Sequence, residues 1–145
     1  MESIKQVGAL PIRKSESGGI EVLLVTSRET GRWVIPKGWP SKQLADHKAA
    51  EREALEEAGV KGIVKRRPVG SYVYFKRLAS TFELIDVTVF VLKVHREHKR
   101  WPEMRERQKR WFNPNEAARA VIEPGLAALI LKLGSEDRVR SGASP

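Results

Sequence analysis

Apolar runs and alternations divide the chain into several short strands and a few helices. Val7 to Ile12 reads as a short strand ended by Pro11 and Arg13, and Ser15 to Gly19 as a turn. Ile20 to Val25 is a nearly continuous apolar run of strand length. After a turn at Glu29 to Arg32 come Trp33-Val34-Ile35, then a loop from Pro36 to Pro40 with two prolines and a glycine. The spacing then changes to that of a helix. Asp46 is its expected N-cap, with Ser41 competing for an earlier start. Gly59 is its expected stop, because glycine takes the left-handed conformation without steric cost. Ala50, Ala54 and Ala58 recur at steps of four beside Leu55, a stripe of small residues that lets a helix lie close to a sheet.

Gly62 to Val64 and Val69 to Phe75 read as further strands. Phe82 to Val94 is long and rich in β-branched residues, as expected of a central strand, and Trp111-Phe112 closes another. Asn113-Pro114-Asn115-Glu116 opens a helix with proline in its first turn. Gly125 to Leu133 forms the last one, and Gly134 to Pro145 is small and polar, as in a frayed tail. No repeat or linker interrupts the pattern. The expectation is one domain, residues 1–133, with a flexible tail over 134–145. Strands outnumber helices, so the fold class is α/β (α+β), a mixed β-sheet sandwiched between helices.

Composition narrows the chemistry. The 145 residues include no cysteine, which excludes disulfides, thiolate nucleophiles and zinc–thiolate or iron–sulfur sites. No apolar run approaches the roughly 18 residues of a membrane span. Met1 to Leu10 lacks the apolar stretch of a secretory signal, so a cytoplasmic protein without membrane contact is expected. The net charge of +9 points to an anionic partner.

One helical segment concentrates acid. Glu51, Glu53, Glu56 and Glu57 fall within two turns, against Arg52. Glu53 and Glu57 are four apart and share a face, which costs about 0.2–0.5 kcal/mol for like charges. Arg52 can pair with Glu56. Glu53 has no basic residue three or four positions away, and Glu57 has only Lys61, beyond Gly59. A hard divalent cation would relieve such a stack, since Mg²⁺ favours carboxylate oxygens and keeps waters and substrate phosphates as its other ligands. A solvated acidic helix face is the plain alternative.

The wider pattern is Gly38, five residues, Leu44, seven residues, then Arg52-Glu53-Ala54-Leu55-Glu56-Glu57-Ala58-Gly59-Val60. This resembles the Nudix box, with Leu44 where the family has its first glutamate and Ala54 as a small version of the box aliphatic. The likeness covers residues 7 to 133 and extends to Trp33-Val34-Ile35-Pro36-Lys37-Gly38 and Arg110-Trp111-Phe112. It implies the Nudix fold and hydrolysis of a phosphoanhydride with Mg²⁺, or Mn²⁺ as the alternative. It further implies Glu53 and Glu57 as metal ligands and Glu56 as base or metal-bridging carboxylate. The Gly38 carbonyl would join the coordination, and Arg52 would orient the glutamates. Leu44 leaves the number of metals open, and Glu103 and Glu106 are candidates for an auxiliary acid.

Residues 61–77 hold six Lys or Arg and no acid, and residues 95–110 hold seven Lys or Arg against three Glu. Two basic segments flanking an acidic site suit a polyphosphorylated small molecule. Within the family, Thr26-Ser27-Arg28, Arg32 to Pro36, Glu56 to Gly62 and Arg107 to Phe112 resemble the diphosphoinositol polyphosphate phosphohydrolases. Pro36-Lys37-Gly38 looks more like the diadenosine polyphosphate hydrolases. By this likeness Arg28, Lys37, Arg77 and Arg107 are the expected phosphate contacts. Trp39 and Tyr74 are candidates to stack on a base, and Trp33 and Trp111 read as core. His47, His95 and His98 have no ligand-like spacing. The enzymatic alternative is an RNA 5′-end or nucleoside triphosphate pyrophosphohydrolase, with RNA as substrate. The alternative of another class is an inactive Nudix-like module binding nucleic acid. The oligomeric state is not readable from the sequence.

Overall fold

The computed structural model describes residues 2–141. These form strands β1 (Ile4–Lys14), β2 (Ile20–Thr26), β3 (Trp33–Val34), β4 (Lys37–Gly38), β5 (Val60–Val64), β6 (Gly70–Arg77), β7 (Phe82–Glu97) and β8 (Lys109–Phe112), with helices α1 (Asp46–Ala58), α2 (Pro114–Ala120) and α3 (Pro124–Ser141). The strands make one mixed sheet. Its centre is the parallel pair β1–β7, in register from Ile4 opposite Ile85 to Ile12 opposite Lys93. Every other pairing is antiparallel. The free edge of β7 is shared by β6 and β5, and β2 joins β1 to β3 and β8.

The continuous apolar run in β2 has a direct explanation. Val22 and Leu24 enter one core with Leu10, Ile85, Val87, Leu126 and Ile130, beneath α2 and α3. Leu23 and Val25 enter a second core with Val7, Ala9, Leu92 and the alanines of α1. Both faces of the sheet are covered, so neither can be polar. Ala49, Ala50, Ala54 and Ala58 are fully buried, and their small size seats α1 against the sheet.

Several boundaries differ from the sequence expectation. Pro11 does not end β1, which runs on to Lys14. The Ala9 N–H, two residues earlier, donates to the Pro36 carbonyl (2.9 Å). Pro11 faces that same edge at the point where the partner changes from β4 to β2, so its missing N–H breaks no ladder bond. Asp46 is not the N-cap of α1 but its first residue. The carbonyl of Ala45 takes the first helical bonds, from Lys48 (3.0 Å) and Ala49 (2.9 Å). The Ser41 hydroxyl instead receives the N–H groups of Gln43 and Leu44, closing the preceding turn. α3 does not stop at Leu133 but continues through Gly134 to Ser141. Gly134 is a packing glycine: an added Cβ would meet the Pro114 side chain at 2.8 Å, where α2 crosses. Residues 142–145 of the expected tail lie outside the described residues. Gly59 ends α1 in the left-handed conformation (φ 68°), and Asn113 caps α2 by accepting the Glu116 N–H (2.8 Å), both as the sequence predicts. No helix among the described residues is long and apolar enough to cross a membrane.

Candidate metal and phosphate cleft

Above the β1–β4 end of the sheet a cleft of about 430 Å³ opens between α1, the β4 loop, the β6 strand and the segment before β8. α1 contributes Glu53 and Glu57 to its floor. The two carboxylates line the same cleft, on the one helix face that their four-residue spacing gives them. Glu57 is only 6% exposed. Burial pushes its carboxyl up to about 8, against the pull of Arg107, and the Glu53 charge adds to the rise. Glu53 is also raised, first by burial and then by the charge of Glu56. The helix does not relieve this pair, but the fold supplies one distant cation: Arg107 Nη2 lies 3.8 Å from Glu57 Oε2.

Gly38 explains itself in this setting. A Cβ there would stand 2.5 Å from Cδ and Oε1 of Glu53. The glycine lets the carboxylate lie against the β4 backbone, which is held to β1 by the pairing of Gly38 with Val7 and of Lys37 with Gly8.

The four expected phosphate contacts, Arg28, Lys37, Arg77 and Arg107, all line the cleft. Arg107 is nearly buried and fixed: Nε donates to Glu103 Oε1 (2.8 Å) and Nη1 to the Thr26 carbonyl (3.0 Å). Arg28 is exposed and donates to Glu106 (3.0 Å), which holds its charge more firmly. Lys37 sits over the Tyr74 ring at 5.2 Å, and burial lowers its pKa. Tyr74 donates to Gln6 Oε1 (3.0 Å), and burial raises its phenol to about 12. Trp39 is 53% exposed at the mouth rather than in a core, and Trp33 packs on the core edge-on to Phe112 (5.1 Å). Trp111 packs on the other core, with Arg13 over its ring at 4.2 Å.

Other expected residues are not brought in. Arg52 is exposed and makes no ion pair with Glu56 within 4.0 Å, contrary to the pairing their spacing permits. Glu56 lies outside the cleft lining; its carbonyl accepts the Glu103 N–H (3.0 Å), which ties the Glu103 loop to α1. Of the two auxiliary acids, Glu103 lines the cleft and Glu106 does not. Leu44 is 37% exposed on the loop before α1 and is not part of the lining. The sequence reading missed Glu123, a carboxylate 7% exposed in the cleft wall. Nothing in Ile122-Glu123-Pro124 separates it from a surface acid ahead of a helix.

The donor set suits a hard, partly hydrated cation. Two facing carboxylates and a bare glycine backbone are present. Among the described residues no three His, Asp or Glu close into a complete cage. Glu53, Glu57 and the Gly38 carbonyl would hold a Mg²⁺ ion only with waters and substrate phosphates as its remaining ligands.

A family profile described as NUDIX domain matches residues 3–133. Among known proteins, the chain is 40% identical over 103 residues to Nudix hydrolase 12, mitochondrial, of Arabidopsis thaliana, covering 68% of this chain and 50% of that one. It is 36% identical over 118 residues to Nudix hydrolase 4 of the same plant, covering 77% and 56%. The chain thus spans about half the length of these relatives. The crystal structure of the C. elegans Ap4A hydrolase superposes with a TM-score of 0.64 at 20% identity, covering 92% of this chain and 98% of that one.

Proposed function

The chain belongs to the Nudix family, and from that premise we propose that it is a Mg²⁺-dependent pyrophosphohydrolase. Its substrate is a polyphosphorylated small molecule of diphosphoinositol polyphosphate or diadenosine polyphosphate type, and the reaction breaks a phosphoanhydride. The observation that carries the reading is the acid pair of buried Glu57 and half-buried Glu53, which shares one cleft with Lys37, Arg28, Arg77 and Arg107. An acid pair held away from water needs a cation, and a basic wall opposite it needs an anion. A metal–phosphate complex satisfies both.

In this reading Glu53 and Glu57, with the Gly38 carbonyl, hold the metal. When bound there, the cation would supply polarisation of the phosphoryl oxygens and a lowered pKa for a water. Arg107 is set in place by Glu103 and Thr26 before substrate arrives, so its phosphate contact costs little ordering. Lys37, Arg28 and Arg77 neutralise the remaining phosphates. Glu103, at the cleft wall, is the carboxylate assigned to take the proton of the attacking water, and Glu56, outside the lining, has that role only by the family likeness.

A substrate panel in Mg²⁺, with products identified by mass in ¹⁸O-labelled water, tests the proposal. The panel comprises diadenosine polyphosphates, diphosphoinositol polyphosphates, nucleoside triphosphates and RNA with a 5′ cap or triphosphate. Turnover of a phosphoanhydride is expected, falling about a hundred-fold or more in Glu57→Gln. Salt-sensitive RNA binding without turnover of any member would instead identify a nucleic-acid-binding module.

A further inference from the structure

Glu123 stands apart from the acid pair on α1. It precedes α3, is 7% exposed and lines the same cleft. Its two oxygens have unequal partners. Oε2 is 4.0 Å from Arg32 Nη1, a long ion pair, while Oε1 is buried and meets no hydrogen-bond donor. Glu123 stands at the N-cap position of α3, where its backbone carbonyl accepts the Ala127 N–H (3.0 Å), but Oε1 receives no N–H from the first turn. A buried carboxylate oxygen without a donor is destabilising unless a water, an ion or a bound ligand supplies one.

The chemistry of the occupant follows. A phosphate beside Glu123 would set two anions together at close range, which a desolvated site penalises. A ring bearing N–H groups would give Oε1 its donor. The same cleft is lined by Tyr74 and by the exposed side chains of Phe75 and Trp39, flat surfaces suited to stacking on a ring. We propose that Glu123 is a specificity-determining residue: its carboxylate accepts a hydrogen bond from a nucleobase, so that the substrate is a base-bearing polyphosphate rather than an all-phosphate ligand such as a diphosphoinositol polyphosphate. This rests on the hydrolase reading above and selects between its two substrate types.

The test compares wild type, Glu123→Gln and Glu123→Ala in Mg²⁺ on diadenosine tetraphosphate and guanosine triphosphate, and on tripolyphosphate and a diphosphoinositol polyphosphate as base-free substrates. In Glu123→Ala the KM for base-bearing substrates should rise about ten-fold or more with kcat little changed, and base-free turnover should stay within about two-fold. Equal losses on both substrate kinds, or a wild-type preference for the base-free ones, would overturn the proposal. If Glu123→Ala does not fold, as judged by circular dichroism, Glu123→Leu, which fills the space and removes both acceptor oxygens, carries the same comparison. If wild type turns over no member of the panel, the hydrolase reading fails by itself. Glu123 is then read by calorimetric binding of a methylene-bridged triphosphate of guanosine: weaker binding in the variants supports base recognition, and equal binding refutes it.

Discussion

A single methyl group at Gly38 would collide with the Glu53 carboxylate, its Cβ standing 2.5 Å from Cδ. Gly38→Ala is therefore expected to displace Glu53 and lower kcat by at least about ten-fold, as loss of a ligand-positioning contact does. Its melting temperature should move little, because the glutamate side chain can swing aside. Glu57 shows the opposite balance between activity and stability. Its carboxyl is raised from 4.5 to about 8 by burial, so the folded protein binds a proton there that the unfolded chain gives up at lower pH. This contribution to stability is complete below 4.5 and is lost as pH rises through about 8. Without metal, Glu57→Gln should be more stable than wild type at pH 8 by about 1–3 kcal/mol, and no more stable at pH 4. Denaturant unfolding with a chelator present measures both. Equal stabilities at pH 8 would show that Arg107 already compensates the buried charge.

At the scale of elements, α1 is the part of the site that its own sequence builds. Its alanine stripe buries one side, and the i, i+4 spacing sets Glu53 and Glu57 together on the side that faces the cleft. Its end is equally constrained. Gly59 has φ 68°, and an added Cβ would lie 2.5 Å from the Trp101 ring. Gly59→Ala should destabilise the protein by roughly 2 kcal/mol or more in urea unfolding, through both the left-handed backbone and the clash. The helix start is less constrained, which is why Asp46 misleads: an acid in the first turn is favourable through the helix dipole whether or not it caps. Gly134 misleads for another reason. It has the composition of a stop, but its lack of a side chain is used for contact with Pro114 of α2.

For the molecule as a whole, the charge of +9 is spent unevenly. Six Lys and Arg from β2's end, β4, β6 and the loop before β8 line one cleft together with five Glu, while Lys5, Arg13 and Lys48 pair with acids elsewhere. Association with a polyanion should therefore depend on salt. KM is expected to rise several-fold as ionic strength goes from about 0.05 to 0.3 M, with kcat changing less, because screening acts on the exposed Arg28 and Arg77 more than on buried Glu57 and half-buried Glu53. Steady-state kinetics across a salt series measures it. Leu44, the departure from the box, lies outside the lining, so Leu44→Ala should leave kcat within about two-fold, the range typical of exposed positions.

The sequence by itself determined what local periodicity can encode. The apolar run of β2 required two covered faces, Phe82 to Val94 required a central position, and the spacing of Glu53 and Glu57 required a shared helix face. Gly59 and Asn113 marked their boundaries because each acts on its own backbone. Tertiary structure alone decided which distant groups answer those acids. Arg107 reaches Glu57 from fifty residues away in sequence because β8 pairs with β2 and the preceding loop folds over α1. It also decided that Glu103 faces the cleft and Glu106 does not, and that Glu123, one acid among many in the sequence, becomes buried with a free oxygen. Burial, and with it the value of a charge, is a property of how elements pack, which spacing along a chain does not contain.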